Sequence, residues 1–494
     1  MNRVLCAILS LLIMASCTES GIDEPTYTNP YDDTETDDDD QNSSTTEYLA
    51  INQVVDARLE YYYFWNDEYK TLERNLEQGY SEFMENTLLS METNTLDKKK
   101  NSTYGQYFLY SYILQTGTTT SASTTRSSTK TKSTSYGFVD FALASLGTSY
   151  ALTIDGVYGS SPASEGGIAR GDMVILINGA AITYYDANSF YYSLLYPTLG
   201  ESTSLTLYNI TTGRQRTVSI TAESIYTSPI ILTDIFEVDG KKIGYLNYTN
   251  FESGYDDELC QVLDEFKTAG IDDLILDLRL NNGGDVSSSN LLSTAIAGSS
   301  GTDKVFTYYE CNPSRMLSPE KVAISLGCDC ENGDLFSKFG ENNSGASYDM
   351  SLKRLYCLIG STTASASEML INSLRGIDFE VTLIGSTSEG KNVGMEVTTA
   401  SAGGYSYTIA PITFRAYNAK WLGDYENGFT PEYYLNEYDS FSDYGQNEYL
   451  TSKAISLITG STSAQATRSS ESPILESSTM HRSLSGAYVY VNQN

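Results

Sequence analysis

Ser365 stands at a junction: the apolar run 355–359 leads into the turn Gly360-Ser361-Thr362-Thr363-Ala364, and a helical pattern follows from about Ala366 to Leu374. A hydroxyl in such a place is exposed on a tight turn, where the unpaired N–H groups of a helix start favour developing negative charge. That is a nucleophile's position, yet a serine hydroxyl needs a base. The single histidine, His481, lies close to the C-terminus in a Ser-rich stretch, so Ser-His-Asp chemistry and histidine metal sites are disfavoured. The best remaining base is a lysine whose pKa burial has lowered from about 10.4 towards about 7–8. Ser-Lys pairs do replace the triad. Keeping that amine neutral costs roughly 4 kcal/mol, so its surroundings should be apolar and free of close carboxylates.

Three strand-then-turn units must position these groups. Residues 271–278 read as a strand that leads to Arg279-Leu280-Asn281-Asn282-Gly283-Gly284 and then a helical stretch at 288–296. The run 355–359 carries Ser365, and a third, 381–384, precedes the loop with Gly390-Lys391. Alternating β and α units of this kind predict a largely parallel sheet, whose turns gather at one edge where ligands bind. Asp277 and Arg279 read as structural.

Upstream, residues 48–96 look helical, with Leu49, Ile51, Val54, Val55 and Leu59 approaching helical spacing, and the aromatic group Tyr61-Tyr62-Tyr63-Phe64-Trp65 is expected in a core. The Ser/Thr/Lys stretch 116–135 reads as a flexible loop inside the next domain, because strand-like aromatic sequence flanks it. Beyond it, a strand at 150–157, a short helix opened by Ser161-Pro162, a strand at 173–177 and an Asn178-Gly179 hairpin turn follow in order. This text, GSSPASEGGIARGDMVILING, resembles a PDZ domain, which adds a peptide to a sheet edge and holds its terminal carboxylate with backbone N–H groups. Tyr136-Gly137-Phe138 would be that carboxylate-binding loop.

The segment TASASE at 363–368, DLRLNNGG at 277–284 and Gly390-Lys391 together resemble the C-terminal processing (tail-specific) peptidases, a serine peptidase family. The preceding PDZ-like text fits that family's order, and Gly428-Phe429-Thr430-Pro431-Glu432 is similar to its Gly-x-x-Pro-Asp stretch. The resemblance covers roughly residues 136–460. It implies that Ser365 attacks the scissile carbonyl, that Lys391 takes its proton and passes it to the leaving amine, and that the N–H groups of Ala366 and of Gly283 or Gly284 bind the oxyanion. Two departures are visible. Met395 occupies the place four residues after the lysine where the family has glutamine, with Asn392 and Glu396 as stand-ins, and the interval from Ser365 to Lys391 is one residue longer, placed around 376–380.

The expected fold is thus α/β and multidomain: a helical subdomain at 48–102, a PDZ-like β-rich domain at 103–225 with a Ser/Thr-rich insertion, a mixed α/β peptidase domain at 226–460, and a Ser-rich tail at 461–494. Residues 1–17 read as a lipoprotein signal, with Met14-Ala15-Ser16-Cys17 similar to a bacterial lipobox that lipidates Cys17, and 18–47 as an acidic disordered tether. The cysteines lack paired C-x-x-C spacing and read as ordinary thiols. With 63 acidic and 30 basic side chains among 494 residues, the net charge of −33 makes nucleic acid a poor partner. The expectation is an exported, cell-envelope serine endopeptidase that acts on proteins or peptides with exposed C-termini and needs no cofactor or metal. The alternative, consistent with Met395, is an inactive peptide-binding protein of the same fold.

Overall fold

The structure, a computed structural model, describes residues 41–100, 107–118, 130–146, 149–183, 185–316, 329–331 and 334–461. The signal segment with Cys17, the tether up to residue 40, the middle of the 116–135 stretch, Cys328 and the Ser-rich tail with His481 lie outside the described residues.

A six-stranded sheet carries the chemistry-bearing turns. Its strands run in the order Ile230–Val238, Lys241–Tyr248, Asp273–Asp277, Arg354–Ile359, Glu380–Gly385 and Tyr433–Tyr434. The first pair is antiparallel and each later pair is parallel. Strands covered on both faces are largely apolar, and the alternation of side chains decides which layer each residue joins. Leu274, Leu276, Leu355, Cys357, Ile359 and Leu383 face the helices Asp256–Ala269, Val286–Ala297 and Ala366–Gly376. Ile275, Tyr356, Leu358 and Ile384 face Leu450, Ala454, Ile455 and Ile458 of the helix Tyr449–Thr459. The result is a three-layer α/β/α body.

Two antiparallel sheets extend it. One has five strands, ending in the short edge strand Val393–Met395, which pairs with Ile412–Tyr417. The other joins Thr398–Ala402, Tyr405–Ala410 and Tyr112–Thr118. Ile51, Val55 and Leu59 of the helix Gln41–Tyr62, with Phe83 and Leu88 of Tyr80–Leu89, pack against Tyr407, Ile409 and Ile412. The N-terminal helices therefore share their core with residues 393–412 and do not form a core of their own. The first helix begins at Gln41, inside the segment expected to be a tether up to 47. Once the packed half of a helix is nucleated, adding further turns is cheap. The aromatic group also divides: Tyr63 is fully buried, Tyr61 is exposed, and Tyr62 lines the cavity described below.

Residues 138–221 build a separate sheet, in the order Gln215–Thr221, Ser202–Asn209, Asp172–Ile177, Tyr150–Val157, Phe138–Ser145. Two helices, Pro162–Glu165 and Ala187–Leu195, accompany it. Ser161 caps the first with Pro162 at its first position, and Asn178 and Gly179, at φ 50° and 80°, close the hairpin in which Ile177 pairs with Ala180. The strand Tyr112–Thr118, expected in this domain, pairs instead with Tyr405–Ala410, where Ile113 lies opposite Ile409 and joins that core. The Ser/Thr/Lys stretch thus starts in one sheet and ends in Lys132–Ser135, which pairs with Glu223–Tyr226. It joins two bodies, and the β-rich domain starts near residue 132, not at 103.

Candidate active site

Ser365 is fixed by hydrogen bonds that tie its turn to the neighbouring one. Thr363 Oγ1 donates to Leu278 O at 2.7 Å, Ala364 N to Asn281 O at 3.1 Å, and Ser367 Oγ to the same Asn281 O at 3.0 Å. Within this frame Ser365 adopts φ 55° and ψ −115°, a region that costs a non-glycine residue about 1–3 kcal/mol. Gly283 lies directly against it: a Cβ on Gly283 would come within 2.7 Å of Ser365 Cβ and 3.1 Å of Ala366 N. Only glycine allows these two turns to meet so closely.

Lys391 arrives from the turn after Glu380–Gly385. Gly390, at φ 90°, packs so tightly on Glu426 and Gly428 that a Cβ would lie 2.5 Å from Gly428 N. This places the Gly428–Glu432 segment under the lysine loop, while Glu432 itself accepts from Leu383 N at 2.7 Å and pairs with Arg375 at 2.8 Å. The Lys391 side chain is buried, with Nζ 4.8 Å from the centre of the Tyr110 ring. Burial brings its pKa from 10.5 down to about 8, against Asp97, Glu389 and Glu368, each of which favours the ammonium. The expectation of a site without nearby carboxylates is therefore wrong. Their charge is spread over hydrogen bonds: Asp97 accepts from Tyr63 Oη, Ser111 Oγ and two amides, and Glu389 accepts from Tyr110 Oη at 2.8 Å.

Glu368 links the two candidate catalytic residues. Its carboxylate is fully buried one turn into the Ser365 helix. One oxygen accepts from Ser365 N at 3.1 Å and Lys391 N at 2.8 Å, the other from Gly390 N at 2.7 Å and Ser388 Oγ at 2.6 Å. Burial raises its pKa to about 7 although the Ser388, Gly390 and Lys391 donors favour the charged form. Glu368 stands in the sequence inside TASASE, three residues after Ser365. The Ser-x-x-Glu spacing of a capping box was the available signal.

Ser365, Lys391 and Gly284 line one cavity of about 500 Å³. Of the paired glycines, Gly283 donates its N–H to Asn281 Oδ1 at 2.9 Å. That donor is already used, so of the two Gly284 is the better candidate for an oxyanion, together with Ala366 N, the first amide of its helix. Asn281 is a residue the sequence reading missed; it is fully buried and its Nδ2 donates to Tyr248 O at 2.9 Å. Met395 also lines the cavity. The two stand-ins are held by other partners: Asn392 Nδ2 donates to Gly423 O at 2.7 Å, and Glu396 pairs with Arg315 at 2.7 Å.

Other sequence-singled residues fall outside this cavity. Asp277 and Arg279 form a buried cluster in which Arg279 meets Asp277 at 2.8 Å and Glu448 at 2.7 Å. Tyr136-Gly137-Phe138 belongs to the separate β-rich sheet, where Tyr136 and Phe138 are core residues. Gly137 N donates to Ser135 Oγ at 2.8 Å, which removes one of the amides a carboxylate-binding loop would use.

Residues 242–434 match the model for peptidase family S41. A stretch of 124 residues is 29% identical to a carboxyl-terminal-processing protease of Picosynechococcus sp. PCC 7002, covering 25% of this chain and 30% of that one. Over 253 residues it is 25% identical to a carboxyl-terminal-processing protease of Synechocystis sp. PCC 6803, covering 51% of this chain and 52% of that one. The chain thus spans about half or less of the length of these relatives. A crystal structure from Bacteroides fragilis NCTC 9343, assigned by name to the S41 proteases, superposes with a TM-score of 0.62 at 22% identity, over 82% of this chain and 97% of that one. That likeness is one of fold: a mixed α/β architecture shared across most of both chains.

Proposed function

From the premise that this chain is a relative of the carboxyl-terminal-processing proteases of peptidase family S41, we propose that it is a serine endopeptidase working through a Ser365–Lys391 dyad. The single observation that supports this most is a buried lysine with a pKa near 8 lining the same cavity as a serine held at a strained strand-to-helix turn. The neutral Lys391 amine takes the Ser365 hydroxyl proton as Oγ bonds to the scissile carbonyl carbon. The carbonyl oxygen becomes an oxyanion that Ala366 N and Gly284 N stabilise; such donors are worth about 3–4 kcal/mol each in the transition state. The lysine ammonium then gives its proton to the departing amine, and water releases the acyl group by the reverse sequence.

In this proposal Glu368 is a positioning residue, holding the backbones of Ser365 and Lys391 to one carboxylate group. The β-rich body at 138–221 acts as the PDZ-like domain that selects substrates by an exposed C-terminus, and Cys17 carries the lipid that keeps the protein in the cell envelope. Among the described residues no helix is long and apolar enough to cross a membrane.

Ser365→Ala and Lys391→Ala are each expected to abolish peptide cleavage and to leave the far-ultraviolet circular dichroism unchanged. Retained cleavage in either variant ends the dyad assignment. A serine-directed fluorophosphonate should label the wild type and not Ser365→Ala, whereas an inactive peptide binder would take no label.

A further inference from the structure

The cavity with Ser365 runs along the edge strand Val393–Met395, and each residue from 391 to 398 lines it. From Lys391 to Glu396 an extended chain covers about 16 Å at most. Past that point two arginines share the ring of Tyr62: Arg58, 4.5 Å from its centre, and Arg315, 5.0 Å away. Arg315 is matched, since Glu396 pairs with it at 2.7 Å. Arg58 lines the same cavity, and among the described residues it has no ion pair or hydrogen bond; its Nε is buried without an acceptor. In a chain with 63 acidic side chains for 30 basic ones, a guanidinium without a carboxylate partner calls for an explanation. The other carboxylates along the cavity are engaged, Asp285 by Ser253 N and Glu341 by Lys338 N. Glu396 attracts the Arg58 charge, yet its ion pair is with Arg315.

A planar guanidinium over an aromatic ring, with a buried Nε donor and a cavity in front, is built to receive a carboxylate. The geometry points to Arg58 as a specificity-determining residue that binds a substrate carboxylate a few residues from the scissile bond. This rests on the peptidase reading above. The carboxylate comes either from an Asp or Glu side chain or from the substrate's own C-terminus.

Peptides in which a single Glu is moved through positions two to six on either side of the cleaved bond, each paired with its Gln counterpart, test the inference. A parallel set compares the C-terminal acid with the C-terminal amide. In the wild type, one position or the terminal acid should raise kcat/KM by about tenfold to a hundredfold, the range of charge-assisted hydrogen bonds. A side-chain preference identifies Asp or Glu; an acid-over-amide preference identifies the C-terminus. Arg58→Gln should bring the ratio to within about twofold of one, and Arg58→Glu should favour Lys at the position where the wild type favours Glu. No carboxylate preference in the wild type, or one that survives in Arg58→Gln, overturns the assignment. Calorimetric binding of the same peptides to Ser365→Ala and to Ser365→Ala/Arg58→Gln makes the comparison without turnover. Absence of cleavage therefore defeats the peptidase reading, and absence of an Arg58-dependent preference in binding defeats this one.

Discussion

Lys391→Met separates what the buried amine costs from what it does. Methionine, one atom shorter, keeps an unbranched apolar side chain in the same space but carries no titrating group. Burial holds the Lys391 amine at about 8 in place of 10.5, and at ~1.4 kcal/mol per pH unit the difference amounts to about 3 kcal/mol. The folded protein binds this proton more weakly than the unfolded chain does. Below pH 8 both states are protonated and the fold bears the full penalty; between 8 and 10.5 the folded state has released its proton first, so stability climbs; above 10.5 the penalty is gone. The methionine variant should therefore be more stable than the wild type near pH 6.5, by about 2–3 kcal/mol once roughly 1 kcal/mol of lost cation–π attraction to Tyr110 is subtracted. That advantage should shrink as pH rises and vanish near 10.5. Urea titrations of both proteins at about pH 6.5, 8 and 10 measure it. A variant no more stable than the wild type at the lowest pH, or an advantage that does not change with pH, would falsify the picture of an amine neutralised by burial. In the same series the wild type's kcat/KM should rise about tenfold per pH unit before levelling near pH 8, and the variant should show no cleavage.

Glu368→Gln replaces an acceptor by an NH₂ group facing N–H donors, and should lower kcat/KM at least about a hundredfold and stability by about 1–3 kcal/mol; unchanged kinetics would remove its positioning role. Because burial raises Glu368 to about 7, protonation should release one of its accepted hydrogen bonds, so the wild type's pH profile should steepen from one proton to two below pH 7; a slope of one throughout counts against the role. Gly283→Ala forces a Cβ to within 2.7 Å of Ser365 Cβ at φ 114°, and should abolish cleavage with a loss of several kcal/mol seen in urea unfolding; an active variant would show that the two turns are not locked together. Glu448→Gln leaves the Arg279 charge buried with one partner fewer, and should destabilise by about 3–5 kcal/mol. Burial would raise the Glu448 carboxyl, but Arg279 pulls it down to about 2, so this contribution is complete above pH 4.5 and fades as pH falls towards 2; acid unfolding of wild type and variant should converge there.

The catalytic sheet was readable because its signals are local. Strand runs expected at 271–278, 355–359 and 381–384 are observed at Asp273–Asp277, Arg354–Ile359 and Glu380–Gly385. Burial on both faces writes itself into the chain as short apolar runs such as Leu274-Ile275-Leu276 and Leu355–Ile359, and the glycines that follow mark turns that a Cβ would obstruct. The partners of Tyr112–Thr118 were not readable, since an alternating strand next to a polar stretch does not name the sheet it will join. That choice was made by Ile113 opposite Ile409, nearly three hundred residues away in the chain.

The site divides along the same line. Ser365 and Lys391 sit on turns of one sheet, so their association follows from topology. What sets the lysine's chemistry comes from the first hundred or so residues: Tyr110 under its Nζ, Asp97 favouring its charge, and Tyr62 and Arg58 along the cavity beyond. No periodicity in the N-terminal helices announces this, because their apolar stripe specifies only the face packed on Tyr407 and Ile409. Arg58 and Tyr62 lie outside that stripe and meet Arg315 instead, a contact that apolar spacing does not encode. If these groups act on substrate as argued, removing the N-terminal helices should cost more than stability. A chain that begins after residue 110 would keep Ser365 and its turn, but Tyr110, the ring against Lys391, would be missing, and the amine would return towards its ordinary pKa.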